Sequence, residues 1–122
     1  MKKCALFLSL ATLGLATLAT AQSELRPIQK AMQARAAWLK AMHQNLAGSH
    51  LAEVGKDAAE LSAQTAKVAG GTEGERKRLT QKISDLAKEV AEAADKGNEA
   101  IVKAKLGDIK ATCTDCHDQF RK

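Results

Sequence analysis

The fold is decided by residues 102–120, which read VKAKLGDIKATCTDCHDQF. Apolar side chains recur in this stretch every three or four residues, which is the spacing that places them on one face of an α-helix. A C-x-x-C-H run lies inside it at Cys113-Thr114-Asp115-Cys116-His117, and His117 follows Cys113 by one helical turn. The stretch predicts a helix that carries this run on its buried face. The residues predicted to point inward are Val102, Leu106, Ile109, Cys113, Cys116 and Phe120.

The C-x-x-C-H run is the attachment sequence for c-type haem. Each cysteine can add to one vinyl group of the porphyrin, and the histidine beside the second cysteine can then ligate the iron. We therefore predict one covalent haem c per chain, bound through Cys113 and Cys116, with His117 as the proximal ligand.

Other uses of a C-x-x-C pair fit the sequence less well. Structural zinc takes four ligands, and the other histidines of the exported chain, His43 and His50, are far from the run in sequence. A thioredoxin-like dithiol belongs to a strand-rich fold, and nothing in this chain alternates like a strand. An inert pair of buried thiols is the last alternative. Haem attachment ranks first among the four.

The N-terminus has the features of a secretory signal peptide over residues 1–21. Lys2 and Lys3 precede an apolar stretch, and Ala19-Thr20-Ala21 is an A-x-A cleavage site. The apolar stretch is shorter than the ~20 residues that a membrane-spanning helix needs. We predict cleavage after Ala21, no membrane insertion of the mature chain, and a periplasmic domain over residues 22–122.

The charge of the chain gives little support for a nucleic-acid partner. The full sequence carries 19 Lys and Arg against 14 Asp and Glu, a net charge of +5, which falls to +3 when Lys2 and Lys3 are removed. Aromatic residues that could stack on bases are not interleaved with the basic ones. The lysines indicate a solvated surface first, and a docking face for a redox partner protein second.

The rest of the mature sequence indicates three further amphipathic helices. The first runs from about Leu25 to Ala47. Ser49 is the expected N-cap of the second, which ends at Gly70-Gly71, and a capping box at 72–75 is expected to begin the third. Because the connections are only a few residues long, consecutive helices must be antiparallel. The predicted fold is all-α, an up-down-up-down four-helix bundle.

With a haem motif on the last helix of such a bundle, the chain resembles the class II c-type cytochromes, the cytochrome c′ family. The likeness is most specific over residues 104–122, where a Gly-Asp-aliphatic step precedes the motif and an aromatic and a basic residue follow it. The resemblance implies that Arg121 lies near the proximal face of the haem, although a cation there would equally favour the helix dipole. The sequence departs from the family at Ile28, where an arginine is common. Arg26 or Arg35 could bind a haem propionate instead.

Depth in the bundle selects the second axial ligand. Antiparallel helices place the start of the first level with the end of the fourth, so His117 lies about 6 Å and Met32 about 10 Å from that end at 1.5 Å per residue. Met42 and His43 lie at roughly 26 Å, too deep to reach the same iron. Met32 is therefore the predicted distal ligand, and it also aligns with the family's distal position. Simple core packing is the alternative for a methionine in an apolar stripe.

Together these residues predict a periplasmic electron carrier and not an enzyme. Iron bound by His117 and Met32 would exchange one electron with a partner protein. The alternative is a five-coordinate cytochrome c′ whose open distal side binds nitric oxide or carbon monoxide, with Met32 as pocket wall. A haem-free helical interaction protein would require the C-x-x-C-H run to be accidental. Homodimers are common in the family, although this sequence does not specify one.

Overall fold

Four α-helices joined by three-residue connections make up the described part of the computed structural model, residues 26–121. The helices are α1 (Pro27–Ala47), α2 (Leu51–Gly70), α3 (Gly74–Asp95) and α4 (Glu99–Phe120). The predicted all-α four-helix bundle is confirmed. Leu25 and the predicted signal peptide lie outside the described residues. None of the four helices is long and apolar enough to cross a membrane.

The helices are not packed equally tightly. α2 and α3 share the most extensive interface, α4 packs on α3, and α1 packs on α2, whereas α1 makes little direct contact with α4. Close approach of α2 and α3 is helped by small residues, since a Cβ placed on Gly55 would lie only 3.4 Å from the Cβ of Ala94. The α1–α4 side is therefore the looser side of the bundle.

The apolar core is built mainly by the last three helices. Burial of aliphatic side chains is the main favourable contribution to folding, and here these side chains follow the spacing predicted from the sequence. From α1, only Met42 joins the core cluster. The members of the cluster are Met42, Val54, Ala58, Leu61, Ile83, Leu86, Ala87, Val90, Ala93, Ala94, Val102, Leu106 and Ile109.

Two of the predicted helix starts differ from the structure. Ser49 has a left-handed backbone (φ 57°), whereas an N-cap residue adopts an extended one, and α2 begins after His50 instead. The predicted capping box at 72–75 does not form, because the Thr72 hydroxyl donates to the carbonyl of Ala69 at 3.1 Å and so closes the end of α2. At the start of α4, the side chain of Asn98 caps the helix by accepting from the backbone N–H of Ile101 at 3.2 Å.

Candidate functional site

The C-x-x-C-H run occupies the last two turns of α4. Cys116 is buried, Cys113 is half-buried and packs against the apolar core, and both thiols are free. The side chain of His117 is exposed, because one further residue turns it about 100° around the helix from Cys116. The two thiols therefore face the interior, and the imidazole lies at the edge of the same site.

Phe120 was predicted to point inward, and this prediction is wrong. Its side chain is 38% exposed, because the last turn of α4 lies at the end of the bundle, beyond the core. The ring packs instead beneath the guanidinium of Arg76, near the start of α3, with Cζ 4.8 Å from the ring centroid. The ring at the end of α4 is thus partly exposed and contacts a cation of α3.

A buried arginine of α1 lies beside the two thiols. Arg35 is only 4% exposed, and its Nε and Nη2 atoms are buried with no hydrogen-bond acceptor among residues 26–121. Leaving a buried donor unsatisfied costs about 1–3 kcal/mol, and more for a charged group. The interior beside the thiols therefore contains a cation that the described residues leave without a partner.

Charge interactions connect Arg35 to the cysteines. Burial lowers the pKa of Arg35, while the thiolates of Cys113 and Cys116 act in the opposite direction. Burial raises the pKa of the Cys113 thiol, and Arg35 partly offsets that rise. The guanidinium is therefore close enough to the motif for each group to influence the ionisation of the other.

Gln64 of α2, which contacts α1, has a second buried polar atom without a hydrogen-bond partner among the described residues. Its Nε2 atom donates to the carbonyl of Ala31, one turn before Arg35, at 3.3 Å, while its Oε1 atom is buried without a donor in the described chain. Sequence reasoning did not single out Gln64, since a polar residue next to an apolar stripe carries no signal of burial. Polar atoms without partners thus face this interior from α1 and from α2.

The structure separates the two arginines that were candidates for a propionate. Arg26 is exposed at the start of α1, where its backbone N–H donates to Oε1 of Gln29 at 2.9 Å. Ile28, at the position where the family commonly has arginine, is 39% exposed. Arg35 alone of these three side chains is buried near the thiols.

Met32 lies three residues before Arg35, which turns it about 60° away around α1. Its side chain is half-buried, and it is not among the described side chains that pack on the apolar core. Arg121 follows the last residue of α4 and is exposed, and its backbone N–H donates to the carbonyl of His117 at 2.9 Å. Ligation by Met32 and haem contact by Arg121 stay predictions.

The donor set of the site fits a covalent haem. Cysteines three residues apart place two thiols on adjacent turns, and the next residue supplies an imidazole. A haem carrying two carboxylates could also satisfy the unpaired guanidinium of Arg35 by a charge-assisted hydrogen bond. Within residues 26–121, no three His, Cys, Asp or Glu side chains cluster as a metal site. The two thiols therefore lack the additional ligands that structural zinc requires within these residues.

A comparison with known protein families identifies a match over most of the chain. The family model described as Cytochrome C' matches residues 17–121, which is most of the chain. No curated protein and no solved structure matches the chain.

Proposed function

The chain belongs to the cytochrome c′ family of c-type cytochromes, and from that premise we propose that it is a periplasmic one-electron carrier. In this proposal Cys113 and Cys116 bind one haem covalently, and His117 is the proximal ligand. A bound haem supplies an Fe(III)/Fe(II) couple whose potential depends on its axial ligands and surroundings. The protein would only accept and donate electrons, and it would not catalyse the conversion of a substrate.

The observation that carries this proposal is the unpaired guanidinium of Arg35 beside the thiols of Cys113 and Cys116. A buried cation is tolerated when an anion neutralises it. The haem tethered by these thiols carries such anions in its propionates. The propionates lie at the edge of a haem opposite to the vinyl groups that the thiols bind, so the long side chain of Arg35 would extend away from the thiols to hold one haem carboxylate and would thereby fix the orientation of the porphyrin.

The loose packing of α1 against α4 agrees with this arrangement. A planar group attached to α4 needs space on the side of the bundle that faces α1. The α2–α3 interface offers none at this end of the bundle, because Ser62 and Ser84 join the two helices by hydroxyl-to-carbonyl hydrogen bonds of 2.9 and 2.8 Å. The predicted attachment residues therefore lie on a helix that borders the looser side of the bundle.

We propose Met32 as the distal ligand, since its depth in the bundle matches that of His117. The alternative function is a five-coordinate cytochrome c′ that binds nitric oxide or carbon monoxide. One observation favours this alternative: Met32 is half-buried and stands outside the packed core, so the core does not fix the position of its thioether. In that case Met32 would form the wall of an open distal pocket.

The optical spectra of the ferric and ferrous protein, expressed with export to the periplasm, test the proposal. A low-spin ferric spectrum with reversible one-electron reduction is expected for His/Met ligation and electron transfer. A high-spin ferric protein that binds carbon monoxide rapidly when reduced would support the gas-binding alternative. A protein without a haemochrome spectrum would contradict both functions.

A further inference from the structure

Charge is distributed unevenly along the bundle. Because neighbouring helices are antiparallel, residues 26–36, 61–84 and 110–121 lie at the same end as the C-x-x-C-H run, here called the motif end. These segments carry ten basic and four acidic side chains, a net charge of +6. Residues 37–60 and 85–109, at the opposite end, carry six basic and nine acidic side chains, a net charge of −3. The molecule is therefore strongly dipolar, with its positive end at the motif.

An exposed aromatic ring lies within this positive end. Phe120 borders an open cavity of about 560 Å³ together with Arg76, Lys77 and the turn between α2 and α3. Ile28, a second exposed apolar side chain, belongs to the same end. An apolar centre within a charged rim is the usual composition of a protein–protein interface.

This surface adjoins the residues that would hold the haem. Phe120 follows His117 by three residues on α4. Arg76, near the start of α3, packs over the ring of Phe120, with its Cζ atom 4.8 Å from the ring centroid. The start of α3 therefore lies next to the motif itself.

We propose that the motif end, centred on Arg76, Lys77 and Phe120, is the docking surface for an acidic protein that exchanges electrons with the haem. This proposal rests on the proposed electron-carrier function. Opposite charges on the two surfaces would steer the partner to the end of the molecule where the haem is attached. The exposed ring of Phe120 would supply the apolar contact at the centre. A protein partner is favoured over an anionic membrane surface because a lipid headgroup carries no redox centre to exchange electrons with the haem.

Charge reversal at this surface provides the first test. Arg76→Glu/Lys77→Glu reverses two exposed cations at the motif end, and Lys40→Glu/Lys88→Glu makes the same change of net charge on exposed residues elsewhere. The measurement is the rate at which ferricyanide, a small anion, oxidises the reduced holoprotein at low salt. The motif-end variant should react about tenfold more slowly than wild type, and the control variant should change much less.

Salt and a polyanion extend this test to a larger partner. The difference between the two variants should shrink above about 0.1 M salt, where the Debye length falls to about 10 Å. Poly-L-glutamate should slow oxidation of the wild type by covering the motif end, and should have little effect on Arg76→Glu/Lys77→Glu. Unchanged optical spectra and potentials in both variants would show that the haem site is intact.

Some outcomes would overturn the docking surface while leaving electron transfer in place. Equal rates for the two variants, in a wild type that is reduced and oxidised reversibly, would do so. A wild type that sediments with anionic lipid vesicles at physiological salt, but is insensitive to poly-L-glutamate, would assign this surface to a membrane. A wild type that lacks a reversible one-electron couple would instead contradict the proposed function itself.

Discussion

At the scale of single residues, the most unusual feature is the buried guanidinium of Arg35, which the sequence did not predict. It lies in a helix with an apolar inner face, and the structure buries its charge without an acceptor in the described chain. Burial without compensation lowers its pKa, and the nearby thiolates only partly oppose that effect. A residue in this state is destabilising unless an anion reaches it.

Replacement of Arg35 by leucine should lower the reduction potential of the holoprotein. Removal of the cation leaves a haem carboxylate without its counter-charge, and the extra negative charge favours Fe(III). We expect a fall of roughly 60 mV, which is a tenfold change in a one-electron equilibrium. Potentiometric titration would measure it, with Lys40→Leu, an exposed change on the same helix, as the control. Equal potentials in the two variants would mean that Arg35 does not neutralise the haem.

Met32 and Met42 form a matched pair for testing the distal ligand. Met32→Ala should convert a low-spin ferric protein to high-spin, allow rapid carbon monoxide binding when reduced, and lower the potential, because a thioether ligand raises it. Met42 is fully buried in the core, so Met42→Ala should cost about 2–5 kcal/mol of unfolding free energy and leave the spectrum unchanged. Optical spectra and denaturant titrations separate the two effects. A spectrum that Met32→Ala does not alter would exclude ligation by Met32.

At the scale of helices, α1 depends least on apolar packing. Only Arg35 and Met42 of this helix are buried, and α4 offers it little contact. By contrast, nine residues of α3 are buried, and Ser62 and Ser84 exchange hydroxyl-to-carbonyl hydrogen bonds of 2.9 and 2.8 Å between α2 and α3. A group bound between α1 and α4 would therefore stabilise α1 more than any other helix.

Hydrogen exchange should reveal this difference. In the Cys113→Ala/Cys116→Ala variant prepared without haem, amides of α1 should exchange at least about tenfold faster than those of α3, because local opening breaks few buried contacts. In the holoprotein the protection of α1 should approach that of α3. Measurement of both forms by NMR supplies the internal control. Equal protection of α1 and α3 in the haem-free chain would refute the prediction that α1 depends on the bound haem for its stability.

The side-chain cap of α4 allows a second prediction for an individual helix. Asn98→Ala removes the side-chain acceptor of the Ile101 N–H and should lower the unfolding free energy by about 1 kcal/mol. Ser49→Ala should have a smaller effect, because Ser49 caps no helix and only donates to Glu99 in an exposed hydrogen bond of 3.0 Å. Thermal unfolding of the two variants makes the comparison. A larger loss from Ser49→Ala would show that the observed cap does not stabilise α4.

At the scale of the whole molecule, the predicted export and the proposed haem are consistent with each other. Covalent haem attachment is a reaction of the exported side of the bacterial membrane, where a signal peptide over residues 1–21 would deliver the chain. The family model extends over residues 17–121, so the family resemblance is not confined to the last helix. The mature chain would then carry a net charge of +3, concentrated at the end that holds the motif.

Intact mass spectrometry of the exported protein tests the whole covalent structure. The chain should begin at Gln22 and carry the mass of one haem, and the haem should resist acid-acetone extraction. Cys113→Ala/Cys116→Ala should remove that mass, because no other cysteine remains after cleavage. Single replacement of Cys113 should leave one thioether and a more labile haem. Retention of Cys4 in the exported chain would contradict the predicted cleavage.

The sequence by itself determined the features that depend on local order. Apolar spacing near 3.6 residues predicted four amphipathic helices and most of the inward face of α4, since that period follows from helix geometry alone. The turn residues located the helix ends to within a few positions. Five consecutive residues, from Cys113 to His117, predicted covalent haem attachment, because the attachment sequence is contiguous along the chain.

Only the tertiary structure decided how individual side chains meet across helices. Hydrophobic spacing does not predict the burial of a charged residue, so the burial of Arg35 near the two thiols could not be predicted. The exposure of Phe120 depends on where neighbouring helices end, and the left-handed backbone of Ser49 on how the chain turns between α1 and α2. These features arise from the rotation and relative length of packed helices, which the pattern along a single helix does not encode.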